Sequence, residues 1–247
     1  MAQWMTGEVV ENYAWNNELF SLRVKVPEPF EFIAGQFVRL GLQEGEQRFQ
    51  RAYSLVNGPQ EPILDFLVNR VHDGEFSPKL HDLRAGQEIQ VSQPPTGFFT
   101  LNEVPEGDSL WLISTGTGIG PYLSMLSTKI PYERFKRIHL IHAVRYANDL
   151  AYQAQILDWV AAYPGQLSYQ PVVSREDSTG ALRGRIPALI LDGQLEQALG
   201  DKLDTNAQVM LCGNPDMIRD AKQVLADKGL PKNLRRKPGN VTVEHYW

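Results

Sequence analysis

The chain has almost no cysteine: Cys212 is the only one in 247 residues. That excludes an intrachain disulfide framework and an iron–sulfur cluster held by the usual four thiolates of one chain. A cytoplasmic setting is the matching expectation. Basic residues are in the minority, with 24 Lys and Arg against 29 Asp and Glu, for a formal net charge of -5. Nucleic-acid binders usually carry a strongly basic face, so none is expected here. No apolar run approaches the roughly 20 residues of a membrane span. The first residues, Met1-Ala2-Gln3-Trp4-Met5-Thr6, have neither the basic nor the apolar segment of a secretion signal, so no membrane association is expected. The 5 histidines suggest no metal site. His139 and His142 stand three apart in an apolar run read as a strand and point to opposite faces, while His72 and His81 lie in the other half. Repeats of fixed period and low-complexity stretches are absent as well.

What is present is an ordinary globular composition, 43% hydrophobic and 21% charged, long enough for two domains of common size. The first hundred residues read as short strands and turns. Leu19 to Val26 alternates with period two, and Pro27 and Pro29 stop it. Gly35 to Gly41, Arg48 to Leu55 and Ile63 to Arg70 are further runs, punctuated by Asn57-Gly58-Pro59 and Asp73-Gly74. Ser77 reads as the N-cap of a short helix with Pro78 at its first position. Glu88 to Val91 closes the series, and the spacing suggests an antiparallel barrel. The second half alternates apolar runs with helical stretches. Leu110 to Ile113, Ile138 to Ile141, Val172-Val173 and Val209 to Cys212 read as strands covered on both faces. Pro121 to Ser127, Asp149 to Ala162 and the segment after Asn214-Pro215 read as helices, with Leu150, Ile156, Leu157 and Val160 facing inward in the second. This predicts a parallel α/β sheet domain, with the boundary placed near Thr100: 1–100 and 101–247.

Gly116-Thr117-Gly118-Ile119-Gly120 follows an apolar strand and opens a helix. Glycines there let the backbone approach a phosphate, and a tight structural turn is the alternative. Arg145 and Arg175 stand just beyond strand ends, where open parallel sheets bind ligands, and Arg185 follows in Gly184-Arg185-Ile186-Pro187. A guanidinium binds a phosphate bidentately, so this set suits the 2′-phosphate of NADP; solvated surface arginines are the alternative. In Arg51-Ala52-Tyr53-Ser54, alternation puts Arg51 and Tyr53 on one face and Ser54 on the other. A cation beside an aromatic plate suits a flavin dinucleotide, and equally a cross-strand pair on an exposed strand. Cys212 reads as buried packing, or as a thiol facing a nicotinamide. The Tyr246-Trp247 end docks on a flat ring or in an ordinary groove. Lys228, Lys232, Arg235, Arg236 and Lys237 form a basic segment, a solvated face or a steering patch for an acidic partner.

Arg51-Ala52-Tyr53-Ser54, Gly74-Glu75-Phe76-Ser77, Gly116-Thr117-Gly118-Ile119-Gly120-Pro121, Val173-Ser174-Arg175-Glu176, Gly184-Arg185-Ile186-Pro187, Cys212-Gly213-Asn214-Pro215 and Glu244-His245-Tyr246-Trp247 follow one another in this order. In that order, and over essentially the whole chain, the sequence resembles bacterial ferredoxin–NADP reductase, or flavodoxin reductase, of the subclass ending in Tyr-Trp. The resemblance implies an N-terminal six-stranded antiparallel β-barrel for FAD, a C-terminal NADP-binding α/β domain with a parallel five-stranded sheet, and a tail returning to the flavin. It implies hydride transfer between NADP(H) and FAD, then single-electron steps through a semiquinone to ferredoxin or flavodoxin, transient acidic partners, in a monomer. An NAD(P)H-dependent flavin or oxygenase reductase, and a nucleotide-binding regulatory module without enzyme activity, are the alternatives. For FAD, the resemblance assigns Arg51 to the pyrophosphate with Ala52 beside it, helped by Glu75, Phe76 and Ser77. It places Tyr53 on the isoalloxazine, Ser54 near N5, Leu67, Val68 and Asn69 along the ring, and Thr117 approaching from the second domain. It puts Tyr246 over the isoalloxazine and Trp247 against the adenine. For NADP, it assigns Val144, Arg145, Ser174, Arg175 and Arg185 to the 2′-phosphate end, with Asn214 and Asp216 nearby. Cys212 and Glu244 fall on the nicotinamide side and, with Ser54, make the catalytic set.

Overall fold

The structure, a computed structural model, describes residues 3–246. Contacts divide the chain into two compact units. Residues up to Thr100 form one together with Gly120–Thr128, and Leu101–Ile119 with the chain from Lys129 onward form the other.

In the first unit, β1 (Gln3–Ala14), β2 (Leu19–Lys25), β3 (Phe37–Glu44), β4 (Gln47–Ser54), β5 (Ile63–Asn69) and β6 (Glu88–Gln93) pair antiparallel in the order β4-β3-β6-β1-β2-β5. The end strands β4 and β5 also approach each other, so the sheet curls as the expected barrel requires. Alternation buries Leu22 and Val24 of β2 and Leu40 of β3 against Phe20, Phe66, Leu80 and Val91. Truncating a buried Phe such as Phe66 to Ala costs about 3–5 kcal/mol. The longest strand, β1, has no counterpart in the sequence reading. A register shift between Val9 and Glu11 breaks its period of two, and pairing with β2 on one side and β6 on the other holds it instead. α1 (Ser77–Asp82) corrects the expected cap. Phe76 occupies the N-cap, and the Ser77 hydroxyl accepts the Val71 N–H at 2.9 Å, closing the preceding turn rather than the helix end. α2 (Gly120–Leu126) is fully buried and packs in this unit, with Tyr122 5.8 Å from the Phe99 ring.

In the second unit, β7 (Ser109–Thr115), β8 (Arg137–Val144), β9 (Leu167–Val173), β10 (Leu182–Arg183), β11 (Ala207–Gly213) and β12 (Val241–His245) form one parallel sheet in the order β10-β9-β8-β7-β11-β12. Six strands stand where five were expected. The apolar runs read from the sequence omit β12 and also β10, which spans two residues, too few to register as a period. Around the sheet run α3 (Ile130–Arg134), α4 (Gln153–Ala162), α5 (Ile186–Leu191), α6 (Gln194–Leu199) and α7 (Pro215–Asp227). α7 starts as read: the Asn214 Oδ1 accepts from Asp216 and Met217 N–H at 2.9 and 3.1 Å, a cap contributing about 1 kcal/mol. α4 does not begin at Asp149. Tyr152 adopts φ 60, which separates a 3-10 turn at Ala147–Asp149 from the helix. The helical face shifts with it: Ile156 is buried, but Leu157 is 56% exposed. Among the described residues no helix is long and apolar enough to cross a membrane.

Candidate functional site

The strand order locates the site in the second unit. From β7 the chain steps outward through β8, β9 and β10, then returns to the other side of β7 with β11 and β12. The direction reverses between β7 and β11, and the crevice outside the carboxyl ends of those strands is where an open parallel sheet takes a ligand. Two glycine-bearing segments emerge there. Gly116–Ile119 leaves β7 as a 3-10 turn, and Gly213-Asn214 leaves β11. They pack without room for side chains. A Cβ on Gly118 would lie 2.7 Å from the Cys212 carbonyl oxygen, and one on Gly213 would lie 2.7 Å from that of Thr115. The Thr115 hydroxyl also accepts the Asn214 N–H at 2.8 Å. Gly116 adopts φ 54, and a Cβ there would meet nothing within 4 Å. The turn is thus pressed against β11 on one side and open above Gly116, a cradle that a phosphate fits.

The ends of β8 and β9 are laced together. Ser174 N–H and Oγ both donate to the Val144 carbonyl, at 3.1 and 3.2 Å. Arg175 N–H donates to the Arg145 carbonyl at 3.0 Å, and Ala147 N–H donates to the Glu176 carboxylate at 2.6 Å. Val144, Arg145, Ser174 and Arg175 are therefore brought together, as the sequence expects, and Tyr146 joins them with its hydroxyl 3.5 Å from Arg175 Nη1. Arg145, Arg175 and Arg185 are exposed, and none forms an ion pair among the described residues. Of the other arginines, Arg23, Arg134, Arg137, Arg183, Arg219 and Arg235 have carboxylate partners, and Arg39, Arg48, Arg51, Arg70, Arg84 and Arg236 have none among the described residues, so it is position at the strand ends that sets these three apart. In a chain with surplus acid, unpaired guanidiniums at a strand-end crevice are charge left available to an anion. Asp216 is less available, since Arg219 sits 2.6 Å from its carboxylate.

Parallel pairing aligns Ser114, Cys212 and Glu244 in one row across β7, β11 and β12, on one face of the sheet. Burial pushes the Cys212 thiol well above its usual range, and the nearby Glu244 charge adds to this against a hydrogen bond with Tyr246. Burial also raises the Glu244 carboxyl. Tyr246 N–H bonds the Gly213 carbonyl at 3.2 Å, so the tail is held rather than frayed up to that residue. Trp247 lies outside the described residues.

In the first unit, β4 presents Arg51 and Tyr53 on one side. The Tyr53 ring lies 6.2 Å from buried Phe76. Burial pushes its hydroxyl up to about 12, opposed by the Arg51 charge. Arg51 is exposed and in no ion pair among the described residues; its Nη1 donates to the Gln50 carbonyl at 2.8 Å. Ala52 and Glu75 are exposed, and Ser54 pairs with Phe37. On β5, Leu67 and Val68 are buried and Asn69 is exposed. An unpaired guanidinium beside a half-buried aromatic fits a flavin dinucleotide. Sequence reasoning missed Tyr146, the Gly118–Cys212 and Gly213–Thr115 contacts, and the role of Glu176 as acceptor for Ala147. The glycines of Gly116-Thr117-Gly118-Ile119-Gly120 and Cys212-Gly213-Asn214, and the motif Val173-Ser174-Arg175-Glu176, are the visible signals, but a sequence does not show what they pack against.

The family model described as an oxidoreductase FAD-binding domain matches residues 8–100, and the oxidoreductase NAD-binding domain matches residues 112–223. The chain is 49% identical to a flavodoxin/ferredoxin–NADP reductase of Shigella flexneri and 48% identical to one of Escherichia coli, covering 100% of each chain in both cases. Its fold superposes with a TM-score of 0.95 on a ferredoxin NADP+ reductase from Neisseria gonorrhoeae solved with bound FAD and NADP, at 31% identity and 100% coverage of both chains. The unpaired arginines, the glycine crevice and these full-length likenesses agree: the chain belongs to the flavodoxin/ferredoxin–NADP reductases, NADP(H)-dependent flavoprotein oxidoreductases of electron transfer.

Proposed function

We propose that this chain passes electrons between NADP(H) and a ferredoxin or flavodoxin by way of bound FAD. The observation that carries the reading is the set Arg145, Arg175 and Arg185, exposed just beyond strand ends and without carboxylate partners among the described residues. A 2′-phosphate is what distinguishes NADP from NAD, and a planar guanidinium matches its oxygens. Val144 and Ser174 set the two loops that carry Arg145 and Arg175. Asn214 and Asp216 border the crevice, and Cys212 and Glu244 serve the nicotinamide side. Glu244, raised by burial, holds its proton more readily than an exposed glutamate.

In the first unit, Arg51 neutralises the FAD pyrophosphate with Glu75, Phe76 and Ser77 beside it. Tyr53 stacks on the isoalloxazine, Ser54 bonds near N5, and Leu67, Val68 and Asn69 line the ring. Bound FAD supplies the exchange between a hydride and single electrons. The side chains supply alignment of the reacting rings and exclusion of water. A ferredoxin or flavodoxin of acidic surface is steered by the exposed turn that pairs Leu234 with Lys237 and carries Arg236 at its tip, beside Arg235, whose charge is shared with Glu103. The test is steady-state kinetics of the purified protein with NADPH against NADH and ferredoxin against flavodoxin, beside its absorption spectrum. Absent flavin bands after FAD addition, or NADH preferred over NADPH, would sink the reading.

A further inference from the structure

Beneath the glycine turn lies a fully buried side chain that the site described so far does not use. His142 of β8 is 0% exposed. Strand pairing places it opposite Ser114, and so in the same row, on the same sheet face, as Cys212 and Glu244. Its Nε2 lies 3.0 Å from the Gly116 carbonyl oxygen. A carbonyl only accepts, so Nε2 carries the hydrogen and Nδ1 is bare. Nδ1 has no partner among the described residues, so a second proton there would find no acceptor. Burial accordingly holds the imidazole down at about 4, against the Gly116 hydrogen bond. The result is a neutral ring with one tautomer throughout the neutral pH range.

The turn is thus held at two points. Gly118 presses on the Cys212 and Gly213 backbone, and the Gly116 carbonyl is tied down to His142. Gly116 sits in the left-handed region with open space where a side chain would be. A glycine peptide there has little steric resistance to rotation, so a hydrogen bond must choose its direction. In a trans peptide the carbonyl and the following N–H point oppositely. Tying the Gly116 oxygen inward therefore aims the Thr117 N–H outward; the reverse orientation would present a carbonyl oxygen to an incoming phosphate.

We propose that His142 is a positioning residue of the nucleotide site: its Nε2–H holds the Gly116 carbonyl inward and turns the Thr117 amide toward the phosphates of the bound dinucleotide. This rests on the reading of the second unit as the NADP site.

The test uses the flavin-loaded full chain with His142→Gln, His142→Asn and His142→Leu. Gln carries an N–H near the Nε2 position, Asn carries one near Nδ1, and Leu carries none. The expected result is that Asn and Leu weaken NADP+ binding, measured by calorimetry, about tenfold, while Gln stays within about threefold of the parent. NADPH KM should move in parallel, and kcat at saturating NADPH with ferricyanide should stay within about twofold. In the unaltered protein, the imidazole 15N shifts should show an Nε2–H tautomer that does not titrate between about pH 5.5 and 8. An Nδ1–H tautomer, or titration in that range, overturns the proposal even if the variants fail to fold. Equal NADP+ affinity across the three variants, as a packing role alone would give, also overturns it. Unchanged NADP+ affinity in Arg175→Ala would instead overturn the site reading on which the proposal rests.

Discussion

Arg175→Ala offers the sharpest measurement on the second unit. The guanidinium is exposed, stands 5.8 Å from the Tyr146 ring centroid and forms no ion pair among the described residues. Its removal therefore breaks no salt bridge and leaves no buried charge behind, and the fold should lose no more than about 0.5 kcal/mol. A charge-assisted hydrogen bond to a phosphate contributes about 1.5–3 kcal/mol. At about 1.4 kcal/mol per decade, the NADPH KM should rise roughly ten- to hundredfold. NADH lacks the phosphate, so its KM should stay within about twofold. Salt gives a second handle: the Debye length falls from about 30 Å at 0.01 M to about 8 Å at 0.15 M. The parent's NADPH KM should climb over that range, and the variant's should climb less steeply. Initial rates with ferricyanide, both nucleotides and both salt levels, complete the assay. Equal losses with NADPH and NADH would refute the reasoning, because the side chain would then be serving a part shared by both nucleotides.

Gly118→Ala should destabilise the protein by about 1–3 kcal/mol, because the new Cβ would meet three backbone atoms of Cys212 and Gly213 within 2.9 Å. Gly116→Ala meets no atom within 4 Å and carries only the strain of its positive φ, about 1–2 kcal/mol; paired urea melts should rank the two in that order. His142 titrates near 4 when folded against an ordinary 6.5, so the unfolded chain binds its proton first as pH falls. Its contribution is complete above pH 6.5 and disappears between 6.5 and 4, roughly 3 kcal/mol in all, with His139 pushed in the same direction. Urea midpoints of His142→Gln should accordingly fall less between pH 7 and pH 4.5 than those of the parent; parallel slopes would count against this. Cys212 is fully buried, with its thiol raised by that burial. Iodoacetamide at pH 8 should leave the native protein unlabelled and modify this one site after denaturation, as mass spectrometry will show; rapid native labelling would be the contrary result.

Much of this architecture is legible from period and punctuation. Continuous apolar runs mark β7, β8 and β11 because parallel strands are covered on both faces, and Asn214-Pro215 marks the start of α7 because capping chemistry is local. β1 was not legible. Its residues carry a bulge, and pairing with strands distant in sequence stabilises it. The sequence pattern runs α4 too long because the left-handed Tyr152 has no signature that a single sequence displays. In the site, Arg145 and Arg175 are visible because their positions follow strand ends. That they have no carboxylate partner among the described residues is a property of three-dimensional neighbours, and only the structure gives it. His142 illustrates the same limit. Spacing places it opposite His139 in direction, yet its partner is a backbone carbonyl 26 residues away.

The grouping of Gly120–Thr128 with the first unit has a consequence for biosynthesis. Ser124 Oγ donates to the Asn57 carbonyl at 2.7 Å, and Met125 and Tyr122 pack on Gly35 and Phe99. A chain emerging from the ribosome holds all six strands of the first sheet once Gln93 is out, but it lacks the helix that covers this side. Completion waits for residues that lie beyond the first strand of the second unit. A fragment cut at Thr100 would therefore expose Phe99 and leave the Asn57 carbonyl without the Ser124 hydroxyl. The order of the chain therefore makes the two units interleave in synthesis: the last helix of the earlier unit is made only after the first strand of the later one.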